Sequence, residues 1–184
     1  MRAGEQVVFE QTMEGLLRAI RPRMSQKCKT RLKAAGLDVD AALLPAYPFE
    51  VWMKCLVASA EETWPDEPRD QALYKVGEAF IEGYRETLLG RAVLAVIHVI
   101  GPRRAIHRAT RNFRSGNNYT DAKVTEVSPN CLELWMNEVG PYPTFTQGLV
   151  EAALRASGVK PKVEIKDHDG HACTYVCTWV ETRN

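Results

Sequence analysis

No stretch of this chain is apolar for long enough to cross a bilayer. Its longest apolar run, Ala92–Ile100, is broken at His98, against the roughly 20 residues that a span requires. The opening residues, Met1-Arg-Ala-Gly-Glu-Gln6, hold no apolar stretch of signal-peptide length, so nothing in them argues for export. There is no CxxC pair. The five cysteines, at 28, 55, 131, 173 and 177, are odd in number and scattered, which reads as reduced cytoplasmic thiols, several of them simply buried. Neither glycine-rich phosphate loop, GxGxxG or GxxxxGKS/T, occurs. No Ser-His-Asp or Cys-His pair follows from spacing, so no residue is singled out for catalysis. Charge of either sign is also lacking in bulk: the net value is +1, which gives no global pull toward nucleic acid or anionic membrane.

What is present is globular. The chain has 184 residues, 45% hydrophobic and 26% charged, and a length of this order buries about 70% of its unfolded surface without a disulfide or metal staple. The charge is segmental. Arg18–Lys33 holds seven bases and no acid, Glu61–Glu86 eight acids against three bases, and Arg91–Arg114 six arginines and no acid. Such a pattern is self-complementary and predicts a homodimer in which a two-fold axis sets each sign against its opposite.

The first two-thirds reads helical. A short strand over 6–9 precedes a helix capped by Thr12 and running to Ile20; Pro22 opens the next, which Gly36 ends. Leu43–Pro48, with two prolines, reads as a turn. Phe49, Trp52, Met53, Leu56, Val57 and Ala60 follow helical spacing, as do Leu73, Val76, Phe80, Ile81 and Tyr84. Thr87 caps a helix to Ile100, and Pro102 starts a short arginine-rich one ending near Phe113. The last third changes texture. Strands over 120–127 and 131–137, a helix capped by Thr144, and a hairpin of 159–167 with 171–180 around Asp169-Gly170 give β-β-α-β-β. The expectation is one α+β domain over residues 1–184, with an N-terminal helical layer (1–114) followed by a four-stranded antiparallel sheet and one helix (115–184).

Several segments together resemble an uncharacterised protein family found largely in myxobacteria. They are Val8-Phe9 with Glu14-Gly-Leu-Leu17, Pro45-Ala-Tyr-Pro48 with Trp52, Gly77-Glu-Ala-Phe-Ile-Glu-Gly-Tyr84, Thr87-Leu-Leu-Gly-Arg91, Gly101-Pro-Arg103, Phe113-Arg-Ser-Gly-Asn-Asn-Tyr119 and Cys173-Thr-Tyr-Val-Cys-Thr-Trp179. The family carries over no activity. More distantly, the element order resembles the superfold of haem–nitric oxide sensors, 4-vinyl reductase-type ligand domains and vesicle-tethering TRAPP subunits. That resemblance implies a hydrophobic ligand or a dimer, at the level of fold alone.

Candidate chemistry is sparse. His171, Cys173, Tyr175, Cys177 and Trp179 share one side of the last strand. Residues four apart on a strand lie ~13 Å apart, too far for Cys173 and Cys177 to share a zinc ion or a disulfide. This side and the opposite one (Ala172, Thr174, Val176, Thr178, Val180) are both plausible as core. Asp167-His168-Asp169-Gly170-His171 reads first as an exposed hairpin turn. His98, on the most apolar helix, is attractive as a haem ligand, but the Tyr-x-Ser-x-Arg triplet of the haem sensors is missing. The expectation is therefore no metal and no cofactor.

The basic helix is the sharpest charge feature. Its arginines are expected to pair with the acidic segment, in the same subunit or a second one, with a phosphate or acidic ligand as the alternative. Arg104, Arg108, Arg111 and Arg114, with Asn117, Asn118 and Tyr119 in the loop that follows, are the candidate ligand- or partner-binding residues. Within that loop Gly116 supplies backbone freedom, and Asn117 and Asn118 tolerate left-handed turns. The leading functional reading is a non-enzymatic, cytoplasmic binding or signalling module, dimeric, with a hydrophobic pocket or groove for a small molecule or protein partner. Two others stand beside it: an enzyme using His98, Arg114, Asn117, Asn118 or Tyr119, and a phosphate- or nucleic-acid-binding module built on Arg103–Arg114.

Overall fold

A computed structural model of the chain describes residues 5–181. The element order is β1 (Val7–Phe9), α1 (Glu10–Ile20), a 3₁₀ turn (Arg21–Arg23), α2 (Gln26–Ala35), β2 (Ala46–Pro48), α3 (Phe49–Thr63), α4 (Arg69–Arg85), α5 (Leu88–His107), α6 (Ala109–Arg114), β3 (Ala122–Ser128), β4 (Cys131–Met136), α7 (Pro143–Arg155), β5 (Val159–His168) and β6 (Cys173–Glu181). Helices come first and a four-stranded antiparallel sheet, ordered β3-β4-β6-β5, comes last. This is the expected α+β architecture.

Local differences have local causes. Thr12 is not a cap: its hydroxyl donates to the carbonyl of Gly116, 2.8 Å away, and α1 starts two residues earlier. Pro22 sits in the 3₁₀ turn, and Ser25 caps α2 by accepting from the Cys28 amide. Pro143, at the first position of α7, replaces Thr144 as its opening residue. The expected turn over 43–48 contains β2, which pairs antiparallel with β1 through Val8 opposite Tyr47. Gly36 ends α2 as foreseen, at φ 107°, where a Cβ would be strained.

Helix α4 is the axis of the helical layer. Gly83 lets it close on α1: a Cβ there would stand 2.5 Å from Ala19 N and Gly15 O. Gly77 and Gly148 do the same against α7, where a Cβ on Gly77 would overlap the Phe145 carbonyl oxygen and one on Gly148 the Tyr74 carbonyl oxygen. Trp52, Phe80 and Phe145 meet edge to face in the space this closeness creates, with ring centres 5.6–6.2 Å apart.

The sheet turns its Cys- and aromatic-rich side inward. Cys173, Tyr175, Cys177 and Trp179 are buried with Leu132, Leu134 and Met136 against α7, and Val180 on the other side is exposed. Tyr175 donates its hydroxyl to the Pro143 carbonyl at 2.9 Å. Burial pushes the Cys177 and Cys55 thiols up to about 12, so both stay protonated and unreactive.

Inside α3, Ser59 is fully buried and its hydroxyl has no partner. A buried hydroxyl without a hydrogen bond carries its desolvation penalty uncompensated. Ser59→Ala is therefore expected to raise stability by about 1 kcal/mol, read as a higher midpoint in urea at unchanged slope.

Candidate functional site

The loop after α6 lies, as its position in the sequence implied, where the helical layer meets the sheet. It is stitched to β1. Phe9 N donates to Gly116 O (2.9 Å), Asn118 N to Val7 O (3.2 Å), and Val7 N to Asn118 Oδ1 (2.8 Å), while Asn118 Nδ2 donates to Glu5 O (2.9 Å). Arg114 spends its whole fork on the same loop: Nε donates to Thr120 O, Nη1 to Asn118 O, and Nη2 pairs with Asp121 at 3.0 Å. Neither asparagine is left-handed, since among the described residues only glycines have positive φ. Gly116 is needed for space instead, because a Cβ would press on Thr12 Oγ1 at 2.5 Å.

Above this loop is a cavity of about 150 Å³, partly open to solvent and walled mainly by apolar side chains. The helical layer contributes Trp52, Phe80, Leu94 and Ile97; the sheet and α7 contribute Leu134, Met136, Phe145 and Val150. Its polar lining residues include Thr12, Asn117, Tyr119, Thr120, Glu138 and Thr146. Asn117 is buried, and its Oδ1 accepts from the amides of Tyr119 and Thr120, at 3.1 and 2.9 Å. Tyr119 packs edge-on against Phe49 with centroids 5.0 Å apart, and burial, aided by Glu138, drives its phenol above the usual range. The Glu138 carboxylate is held by Gly140 N (2.8 Å) and by His171 Nδ1 (3.2 Å).

Of the seven candidate residues, Asn117 and Tyr119 line the cavity. Arg114 and Asn118 lie just behind them and hold the loop. Arg104, Arg108 and Arg111 are exposed and stand away from the lining. Trp52, Thr12 and Glu138 complete the wall, but their signal in the sequence is that of ordinary core or loop residues.

The arginine helix does not pair with the acidic segment within this chain. Arg103 and His107 meet Glu126 of β3, and Arg114 meets Asp121. The acids of 61–86 are engaged elsewhere: Arg31 holds Glu61 and Glu62, and Arg18 holds Glu86. Arg31 also holds the Glu61 and Glu62 carboxyls below the usual carboxylate range. Among the described residues, Arg104, Arg108 and Arg111 form no ion pair.

His98 faces outward, with Nδ1 3.2 Å from the Ala156 carbonyl. In the β5–β6 turn Asp169 accepts from the amides of His171 and Ala172, and His168 Nε2 meets Gly140 O. Among the described residues no three of His, Cys, Asp or Glu stand together as a metal site, and no helix is long and apolar enough to cross a membrane.

Residues 6–180 match the profile of a family described as "Protein of unknown function (DUF2378)". No curated protein matches the chain. Solved structures share its fold over nearly its whole length. One is an Fe(II) unliganded H-NOX protein from K. algicida, 15% identical with a TM-score of 0.65, covering 94% of this chain and 96% of that one. Another is an oxygen binding H-NOX domain related to soluble guanylate cyclases, in its oxygen complex, at 12% identity and TM-score 0.67, with coverages of 94% and 97%. A doubly substituted Tt H-NOX gives 11% identity and TM-score 0.70, with coverages of 95% and 98%. At such identities the likeness is one of fold.

Proposed function

We propose that this chain, which belongs to the DUF2378 family, is a single non-enzymatic sensor module that takes a small apolar ligand between its helical layer and its sheet and works as a homodimer. The observation that carries the reading is the cavity: a mainly apolar space at the junction of two layers, with a few polar groups at one side, is the usual form of a small-molecule site. Its volume of about 150 Å³ is that of a space able to take benzene or xenon, so the ligand is compact and uncharged. Asn117, Tyr119 and Thr12 orient its polar end, while Arg114 and Asn118 fix the loop that presents them. The module acts in the cytoplasm, where its buried thiols stay reduced. The solved relatives, described as oxygen binding and haem-containing, support small-molecule sensing as the class of activity.

Haem itself does not fit. No histidine, cysteine, arginine or lysine lines the cavity, and its thioethers, Met53 and Met136, are of the kind that ligates haem beside a histidine, so it offers neither an imidazole or thiolate for the iron nor a cation for the propionates. The phenols of Tyr84 and Tyr119 are both pushed up by burial, which removes them as anionic donors. Glu138 is committed to the Gly140 amide and His171.

The test is a titration with benzene, followed by NMR at the indole N–H of Trp52. Saturable shifts at Trp52 that vanish in Ala109→Leu, a variant that fills the cavity from α6 with an unchanged melting point, are the expected result. A titration with no saturable shift in the wild-type protein would remove the reading.

A further inference from the structure

We propose that the ligand of the cavity is a small neutral ketone or aldehyde, and that Asn117 and Thr120 together read its carbonyl oxygen. This rests on the cavity reading above and names the chemistry that the cavity selects. The ground is the account of hydrogen-bonding groups along its polar side. Asn117 is 8% exposed and Thr120 2%, and both line the cavity. Asn117 Oδ1 accepts from the amides of Tyr119 and Thr120, and the Thr120 carbonyl accepts from Arg114 Nε at 2.7 Å. Two donors are left over: among the described residues, neither Asn117 Nδ2 nor the Thr120 hydroxyl has a hydrogen-bond partner. Buried polar groups are nearly always paired, so two spare donors on one wall of a cavity are a place for an acceptor. The turn holds them side by side, since Asn117 Oδ1 is 2.9 Å from Thr120 N.

The neighbouring groups restrict which acceptor it is. Glu138 also lines the cavity, and among the described residues no lysine or arginine does. A carboxylate or phosphate would therefore stand near the Glu138 carboxylate with no counter-charge, a cost that burial magnifies. A ligand amine or amide would bring donors of its own to a wall where the Asn117 and Glu138 oxygens already accept. A carbonyl oxygen is neutral and has two lone pairs, one for the Asn117 N–H and one for the Thr120 O–H. The volume of about 150 Å³ limits the carbon skeleton to about one six-membered ring. A hydrocarbon of that size also fits, but it leaves both donors bare, and a site with buried donors discriminates against a ligand that cannot pair them.

The experiment sets cyclohexanone beside benzene in the Trp52 titration, on the wild type, Thr120→Val and Thr120→Ser. Valine keeps the outline of threonine and deletes a hydroxyl that has no partner within the described chain, so Thr120→Val should melt no lower than the wild type. Its affinity for cyclohexanone should fall about five- to tenfold, the loss of one hydrogen bond, while benzene binds no more weakly. Thr120→Ser, which keeps the hydroxyl, should restore the ketone. Should Thr120→Val fail to fold, Asn117→Asp takes its place: it keeps the oxygen that anchors the turn, removes the free N–H, and should show the same selective loss. If benzene saturates and cyclohexanone does not, or if the variant leaves cyclohexanone affinity unchanged, the carbonyl proposal is overturned and the cavity stands. If neither compound saturates in the wild type, the cavity reading falls and this proposal with it.

Discussion

Gly77→Ala is expected to lower the thermal midpoint by about 6–12 °C, although alanine is the better helix former by about 1 kcal/mol. The added methyl group has no space. It would overlap the Phe145 carbonyl oxygen and stand 2.8 Å from Leu149 N, and both are backbone atoms of α7 that no rotamer change can move. Overpacking of this kind costs about 3 kcal/mol, and each kcal/mol is worth about 2–4 °C in a chain of this size. The whole of α7 must shift, and α7 is the element that joins the two layers. Glu82→Ala, on the same helix but exposed, is the control and should stay within about 0.5 kcal/mol. Differential scanning calorimetry on the pair measures the difference directly, and equal midpoints would mean that α4 and α7 are not held at this distance.

Trp52→Ala is expected to cost about 3–5 kcal/mol, the range for deleting a large buried aromatic. Trp52 is buried against Phe80 and Phe145, both edge-on, and its ring is part of the cavity wall. Its removal therefore joins a new void to an existing one. Ligand bound only by the folded state stabilises that state by mass action, by about 2.7 kcal/mol at a hundred times its dissociation constant. Indole, which has the shape of the deleted side chain, should raise the melting point of Trp52→Ala well beyond its effect on the wild type. Failure of indole to discriminate between the two would separate the Trp52 void from the cavity.

The parts of the fold legible in the sequence are those whose signals are local. Helical spacing from Phe49 to Ala60 and from Leu73 to Tyr84 gave α3 and α4, and Asp169-Gly170 marked the last hairpin, because each is settled within a few residues. Thr12 misled for a non-local reason: its hydroxyl is drawn to Gly116, about a hundred residues away in the chain. Strand β2 was hidden by its flanking prolines, and only pairing with β1 reveals it. Position alone placed Asn117 and Tyr119 at the junction of the layers. Nothing in the spacing of Trp52, Phe80 or Phe145 distinguishes the wall of a cavity from solid core, since a cavity is a property of how elements fail to touch. The arginines of α5 and α6 stood out as a charge run, but their counter-charges could not be assigned without the pairing of β3 against the helix.

The rims of the sheet have a consequence for how copies of this protein meet. Strands β3 and β5 are the outer members of the four-stranded sheet, and each would present a row of unused amides to a stranger. Both are blunted. Strand β5 carries Lys160, Pro161, Lys162 and Lys166, and its ladder slips between Ile165 and Asp167; β3 carries Lys123 and Glu126 and slips between Glu126 and Ser128. Charges, a proline without an N–H, and bulges are the devices that stop strands from adding to a sheet. Growth by strand addition, which has no natural end and leads to fibres, is closed to this molecule.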